Sequence, residues 1–208
     1  MAAKTLPEPV LPYITTIHMS TTRSIALYDE AQGHLEAGRY AQAFATCQEA
    51  LKSGEFEPGV YFQMGAILLQ SGQFEECLIA FQAALRRDPR DSNAYNNIGI
   101  ALHRLGRMRE ATHHFRQAIV LNPNYASAHN GLAAVLCDMQ QYRQAADESR
   151  IAIHLAPEKF QSHCNLGDAL LGMGNRQGAL EAYGTAQTLA PDNPLVRSRM
   201  ERLKQTAP

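Results

Sequence analysis

Residues 92–125 read SNAYNNIGIALHRLGRMREATHHFRQAIVLNPNY, and this stretch decides the fold of the chain. It contains two apolar stripes with the spacing of amphipathic helices. The stripes consist of Tyr95, Ile98, Gly99 and Leu102, and of Ala111, Phe115 and Ala118. Gly106 separates them and indicates a turn. We therefore expect two short helices, neither of which can bury its stripe without a neighbouring unit.

The same pattern recurs at a period of 34 residues without insertion or deletion. The five units are residues 24–57, 58–91, 92–125, 126–159 and 160–193. A small residue occupies the slot where the two helices of each unit should cross, namely Ala31, Gly65, Gly99, Ala133 and Gly167. Glycine ends the first helix at Gly38, Gly72, Gly106 and Gly174, whereas Gln140 predicts a less regular turn in the fourth unit. The repetition predicts a stack of helical hairpins.

This pattern closely resembles the tetratricopeptide repeat, a helix–turn–helix unit with the same period. The resemblance implies an all-α fold, a right-handed α-solenoid of five such repeats. Residues 194–208 are expected to form a capping helix and tail, with Asn193 as the N-cap and no functional role. The first unit departs most from the family pattern, because Glu30, Cys47 and Glu55 replace its usual Leu, Phe and Pro.

Residues 1–23 lie outside the repeats. Pro7, Pro9 and Pro12 favour extended backbone here, although the segment is more apolar than a typical solvated tail. The dipeptide His18-Met19 leaves two interpretations of residues 1–18 open. They are an added sequence before a natural start, either a tag or a fused peptide ligand, or a native arm on the first helix.

Composition and charge disfavour several classes of partner. The chain is 45% hydrophobic and 19% charged, with a net charge of −1, so we expect neither nucleic acid nor a membrane surface as its target. No run approaches the ~20 apolar residues of a membrane-spanning helix. The cysteines at 47, 77, 137 and 164 form no Cys-x-x-Cys pair, which predicts reduced core residues in a cytoplasmic protein.

No catalytic or metal-binding motif is present in the sequence, so we expect no enzymatic activity, no cofactor and no metal. His113 and His114 are neighbours on a helix and point about 100° apart, which predicts a solvent-exposed pair rather than two ligands of one ion. His129 and His163 occupy the aromatic packing slot of successive units. They are expected to pack within or between repeats.

The resemblance also implies a binding surface, because the first helices of this family line a concave groove that holds extended peptides or short helices. The positions carried over are Tyr28, Gln32, Phe62, Gln63, Ala66, Leu69, Asn93, Asn96, Asn97, Ile100, His103, Arg104, Asn130, Ala134 and Asn165, and Asp168 continues the row. Amide side chains donate and accept together, which suits a peptide backbone. The alternative is that these are ordinary solvated polar residues.

Two mechanisms within the family match less well. Asn97 and Asn165 fit the asparagine ladder of glycosyltransferase arms, but Asp29, Gln63 and Gly131 interrupt it. Chaperone-tail receptors hold a carboxylate with a lysine on the first helices, and those slots contain Tyr28, Phe62, Asn96, Asn130 and Cys164. A carboxylate clamp of that type is therefore disfavoured.

The leading prediction is a non-enzymatic scaffold, adaptor or chaperone-like module that binds a peptide of a partner protein in the groove. One alternative is a substrate-recruiting partner of an enzyme such as a glycosyltransferase. Another is a self-assembling structural protein, in which residues 5–17 of the arm fill the groove of the same or a neighbouring copy.

Overall fold

The computed structural model describes residues 26–27, 29–52 and 58–205. Tyr28 and the N-terminal arm, including its segment 5–17, lie outside the described residues. The helices are α1 (residues 29–36), α2 (Tyr40–Lys52), α3 (Pro58–Gln70), α4 (Phe74–Arg87), α5 (Ser92–Arg104), α6 (Met108–Leu121), α7 (Ala126–Asp138), α8 (Tyr142–Leu155), α9 (Phe160–Gly172), α10 (Arg176–Leu189) and α11 (Pro194–Gln205). The fold of the described residues is therefore all-α, as predicted.

The chain divides after Arg87 into two compact units. In the first unit, α2 contacts α3 and α3 contacts α4. Its core includes Leu27, Ala31, Cys47, Val60 and Ile67, all of which are buried. This unit is therefore held together by apolar residues of successive helices, as the repeat pattern predicts.

The second unit contains α5 to α11. Each first helix packs on the second helix of its own hairpin, so that α5 contacts α6, α7 contacts α8 and α9 contacts α10. The hairpins then stack, because α6 also contacts α7 and α8 contacts α9. No helix in the described part of the chain is long and apolar enough to cross a bilayer.

Glycines let the helices of a hairpin approach closely. A methyl group on Gly99 would lie 2.8 Å from the ring of Phe115, and one on Gly65 would lie 2.8 Å from the ring of Phe81. Because both rings are completely buried, they cannot move aside into solvent. The small crossing slot predicted from the sequence is thus confirmed at these two hairpins.

The turn at Gln140 corrects one prediction. Gln140 has φ 60°, the same left-handed conformation as Gly106 one repeat earlier, at φ 75°. The hydrogen bonds of the two turns also match, since Gln140 N donates to Cys137 O at 2.9 Å and Gly106 N donates to His103 O at 3.0 Å. The prediction of an irregular turn is wrong, because the backbone at Gln140 keeps the left-handed geometry of glycine. The cost is steric strain between the Cβ atom of the glutamine and the backbone.

Replacing Gln140 with glycine should raise the free energy of unfolding by about 0.5–1 kcal/mol. Relief of the left-handed conformation outweighs the extra freedom of the unfolded chain. Urea denaturation measures the change. Gly106→Ala introduces the same strain in the equivalent turn and should lower stability by about 1 kcal/mol. A loss of stability in Gln140→Gly would contradict this account.

The last helix, α11, covers the final hairpin. Val196 and Leu203 are almost completely buried, and α11 contacts α10. Asn193 begins the helix as predicted, because its Oδ1 accepts a hydrogen bond from the backbone nitrogen of Leu195 at 3.0 Å. Leu195, by contrast, is exposed.

Candidate binding surface of the first helices

The first helices of the second unit lie on the inner side of its curve. Helix α5 contacts α7 and α7 contacts α9, whereas α6, α8 and α10 make fewer contacts with one another. Helices that touch their equivalents in the next repeat occupy the shorter, inner arc of a stacked array. We call the side of α5, α7 and α9 that faces away from the second helices the inner face.

Asn130 and Asn165 form a hydrogen-bonded pair on the inner face. Asn165 Nδ2 donates to both the backbone oxygen of Asn130, at 3.1 Å, and its side-chain Oδ1, at 2.9 Å. Ser162 Oγ donates to the same Oδ1 at 3.1 Å. Because a backbone carbonyl can only accept, Asn165 presents its nitrogen and Asn130 presents its oxygen. The Nδ2 group of Asn130 has no hydrogen-bond partner among the described residues.

Asn96 occupies the same slot one repeat earlier and has a different environment. It is only 3% exposed, and its Oδ1 is buried with no hydrogen-bond partner in the described part of the chain. Its Nδ2 has only a long contact, 3.5 Å, to Oδ1 of the half-buried Asn97. A buried amide oxygen without a donor is costly, so Asn96 is an unsatisfied acceptor on the inner face.

The remaining predicted residues of the second unit differ in exposure. Ile100 and Ala134 are half-buried, while Asn93 and Arg104 are exposed. His103 Nε2 lies 2.7 Å from Asp138 Oδ2, so this histidine links α5 to α7. The inner face of this unit thus combines small apolar patches with two amide groups, Asn96 Oδ1 and Asn130 Nδ2, that have no partner among the described residues.

The predicted residues of the first unit are more fully engaged. Gln63 is buried, donates to Oε1 of Gln32 at 3.3 Å and accepts from the Cys47 thiol at 3.9 Å. Phe62 packs edge-on against Phe81, with ring centroids 5.3 Å apart. Ala66 and Leu69 are half-buried. Gln63 therefore holds α1, α2 and α3 together instead of offering an open amide.

Two features of the inner face depend on contacts that the sequence pattern does not contain. The first is Gly131, which interrupts the asparagine row because a side chain there would collide with the ring of Phe115. The second is Asp168, which forms ion pairs with two arginines of the capping helix. Arg199 Nε donates to Asp168 Oδ2 at 2.5 Å, while Arg202 and the hydroxyl of Tyr183 both donate to Oδ1, the latter at 2.8 Å. The sequence contains one sign of this role: Asp168 is acidic, whereas the equivalent positions of the three preceding repeats hold Ala66, Ile100 and Ala134.

A cavity of about 310 Å³ lies beside this network, at the last two repeats. Its walls come from α7, α8, α9 and α11, and they include Asp138, Tyr142, Leu171, Arg199 and Arg202. The Tyr142 ring fits against Gly172 only because glycine has no side chain, since a Cβ atom at position 172 would collide with the ring. The capping helix therefore contributes charged groups to one end of the inner face.

Family comparisons agree with this architecture. Models of the tetratricopeptide repeat match residues 92–125 and 160–193, and a TPR repeat model matches residues 65–106. The chain is a tetratricopeptide-repeat protein. This family's fold is typically a non-enzymatic module for protein interaction.

Solved structures share the tetratricopeptide-repeat fold at low sequence identity. The structure of MamA is 20% identical with a TM-score of 0.69, and the match covers 81% of this chain and 92% of MamA. YrrB, described as a TPR protein with an unusual peptide-binding site, is 19% identical with a TM-score of 0.68, covering 91% and 98%. TTC0263, a thermophilic TPR protein of Thermus thermophilus, is 21% identical with a TM-score of 0.70, covering 88% and 99%. No curated protein sequence gives a significant match.

The cysteines of this tetratricopeptide-repeat protein are unreactive: Cys47, Cys77 and Cys164 are buried, and Cys137 is half-buried. All four are free thiols, and burial raises the pKa of Cys47 and Cys164 to about 11 and of Cys77 and Cys137 to about 12. They therefore stay protonated near neutral pH and lack nucleophilic character. Within the described ranges, no cluster of His, Cys, Asp and Glu side chains is arranged to hold a metal ion.

In each hairpin of the second unit, one residue of the first helix faces one residue of the second helix, at positions 95 and 114, 129 and 148, and 163 and 182. The residue types at these two positions differ from repeat to repeat, and we call the two positions together the histidine slot. Tyr95 stacks near His114 in the third repeat, with ring centroids 5.8 Å apart. His129 Nδ1 lies 2.6 Å from Glu148 Oε2 in the fourth, and its Nε2 lies 3.0 Å from the Pro123 carbonyl. Because both acceptors need a proton from the ring, this geometry favours the imidazolium form of His129. In the fifth repeat His163 faces Pro157 O at 2.9 Å without a carboxylate.

The pKa values of His129 and His114 are shifted in opposite directions. The hydrogen bond to Glu148 raises the pKa of the buried His129, although burial acts against this. Burial lowers the pKa of His114, and the neighbouring His113 lowers it further. His114 is half-buried, and within the residues that the structure describes its Nδ1 has no hydrogen-bond partner, so the predicted solvent-exposed pair holds for His113 alone.

The Glu148→Gln variant should lose part of its stability below neutral pH. Because the folded pKa of His129 is raised, its contribution is fully present below about pH 6.5 and is lost as the pH rises through the folded pKa. Urea denaturation between about pH 5 and 9 measures the profile. Ala182 occupies the slot of Glu148 beside His163, so His163→Gln serves as the control with little change in slope. Identical profiles for Glu148→Gln and the unaltered chain would contradict the ion pair.

Proposed function

We propose that the inner face of α5, α7 and α9 binds an extended peptide segment or a short helix of a partner protein. In this proposal the chain is a non-enzymatic scaffold whose contact residues are Asn96, Asn97, Asn130, Ile100 and Ala134. Asn93, His103 and Arg104 flank them. Gln32, Phe62, Ala66 and Leu69 of the first unit remain further predicted contacts, and Asn165 acts by orienting Asn130.

The observations that carry the proposal are a buried, unpaired acceptor at Asn96 on α5 and an amide donor at Asn130 on α7 that no described residue accepts. Asn96 offers a buried acceptor without a donor, and Asn130 offers an Nδ2 group without an acceptor among the described residues. The two residues lie one repeat apart in the same slot. A peptide backbone presents N–H and C=O groups alternately along its length, so it can supply both missing partners. A solvated polar face would not need a buried, unpaired oxygen.

One further consideration supports this assignment. YrrB, which has the same fold, is described as having a peptide-binding site. The free, high-pKa thiols suit a reducing compartment, so a cytoplasmic location stays our prediction. The enzyme-recruiting alternative also stays a prediction, as does the self-assembling one, whose residues 5–17 lie outside the described residues.

Substituting Asn97 and Asn130 with alanine should weaken peptide binding about tenfold or more, because two hydrogen bonds are lost. A peptide selected by display against the full chain serves as the ligand, and calorimetry gives the Kd. Asn130→Asp is the sharper variant, since it keeps the oxygen that Asn165 and Ser162 contact but removes the Nδ2 donors.

The control removes two exposed amides from second helices, in Gln82→Ala combined with Gln187→Ala. That double variant should bind the peptide with unchanged affinity. If the variants at Asn97 and Asn130 were folded and bound equally well, the inner face would not be the binding site.

A further inference from the structure

The cavity at the last two repeats contains hydrogen-bond donors that the fold does not use. Each guanidinium has five N–H groups. Arg199 and Arg202 direct some of them at Asp168, and Arg202 also reaches the Tyr183 hydroxyl at 3.4 Å. The remaining N–H groups of both arginines have no partner among the described residues, and the Arg202 side chain is 56% exposed.

Asp168 cannot absorb these donors, because its carboxylate is already fully engaged. Oδ2 accepts from Nε and Nη2 of Arg199, and Oδ1 accepts from Arg202 and Tyr183. Only 13% of its side chain is exposed. Two cations therefore share one anion, and the cluster formed by Arg199, Arg202 and Asp168 carries a net charge of +1.

We propose that Arg199 and Arg202 bind a carboxylate of the peptide that occupies the inner face. The proposal rests on the proposed function and names a chemical requirement of the partner. The donors are pre-oriented, since Asp168 and the buried residues of α11 hold both arginines in place, and arginine forms its strongest hydrogen bonds with carboxylates. The capping helix is then part of the recognition surface.

This site differs from a carboxylate clamp on the first helices, because its cations come from α11. Asp138 lies on the α7 wall of the same cavity, where its Oδ2 is bonded to His103. Its negative charge opposes a second carboxylate. Removing that charge should therefore strengthen binding, which gives the proposal a variant with a gain in affinity.

The test uses small probes, so it does not need the natural partner. N-acetylglycine presents a chain-end carboxylate, N-acetylglutamic acid α-amide presents a side-chain carboxylate, and N-acetylglycinamide is neutral. Each is titrated into the ¹⁵N-labelled full chain while the arginine Nε–Hε resonances are followed by NMR. At least one carboxylate probe should give saturable shifts at Arg199 and Arg202, and the neutral probe should give none. The preferred acid identifies the source of the carboxylate.

Variants then separate a specific site from general attraction to positive charge. Arg202→Gln should weaken binding about tenfold, whereas Arg197→Gln, an exposed position on the same helix with the same loss of charge, should leave it unchanged. Asp138→Asn should tighten it several-fold. Equal responses in Arg202→Gln and Arg197→Gln, or no response to either acid, would overturn the proposal.

The two proposals can fail separately. The probes contain at most one residue and do not span Asn96 and Asn130, so the titration does not depend on peptide binding along α5 and α7. Probe binding with unaffected peptide affinity in Asn130→Asp would refute the amide contacts alone. Tight peptide binding without any probe response would refute the carboxylate site alone.

Discussion

Replacement of Asp168 with alanine is expected to lower the free energy of unfolding by about 2–4 kcal/mol, the largest effect of any single change considered. Removing one partner of a poorly exposed charge cluster leaves the others uncompensated. Arg199 would lose its carboxylate while only 21% of its side chain is exposed, and the buried Tyr183 hydroxyl would lose its acceptor. Urea denaturation measures the loss.

Asp168→Ala should also release α11, because the two arginines tie this helix to α9. Limited trypsin digestion followed by mass spectrometry should show faster cleavage after Arg199 and Arg202. Asp192→Ala removes an exposed aspartate from the turn before α11 and should change neither quantity. Equal stability of the two variants would show that the charge cluster contributes nothing.

The second large effect is expected for Gly131→Ala, with a loss of about 1–3 kcal/mol through overpacking. The added methyl group would meet the ring of Phe115, which is completely buried and also packs on Gly99. The ring is therefore enclosed by glycines of α5 and α7 and has no free direction in which to move. Thermal and urea denaturation measure the change.

A double-mutant cycle with Phe115→Leu tests the cause. If the collision is responsible, Gly131→Ala should cost less when the ring is absent, with a coupling of about 1 kcal/mol or more. Gly184→Ala is the matched control, since nothing lies near a methyl group at that helical glycine. It should stabilise the chain by about 0.5–1 kcal/mol through helix propensity. Additive effects of Gly131→Ala and Phe115→Leu would refute the clash.

Much of the fold could be predicted because the repeat places the same residue types in the same slots. Gly99 and Phe115 lie 16 positions apart in one unit, and this spacing returns at Gly65 and Phe81. Local amphipathic spacing predicts the helices, and repetition predicts that they stack. The prediction of an irregular turn at Gln140 is wrong because residue type indicates only a preferred conformation, whereas the hydrogen bonds of the turn determine the actual one.

The binding surface could be predicted only as a row of positions. Asn96 and Asn130 occupy equivalent positions of successive repeats, and Asn165 occupies the position of Asn97. Yet Asn96 has an unsatisfied oxygen, Asn130 has a bonded oxygen and an Nδ2 group without an acceptor among the described residues, and Asn165 supports Asn130. These differences depend on contacts between repeats, which a pattern within one repeat does not contain. The same holds for Asp168, whose partners Arg199 and Arg202 lie on a helix outside the repeat pattern.

Because of the histidine slot, the repeat that is most easily destabilised differs between acidic and basic pH. Because the pKa of His114 is lowered, the third repeat loses stability as the pH falls below about 6.5, while the fourth repeat loses the His129 contribution as the pH rises. In a stacked array each repeat opens largely according to its own stability and that of its neighbours. Amide hydrogen exchange should therefore detect fraying first at residues 92–121 in acid and first at residues 126–155 in base.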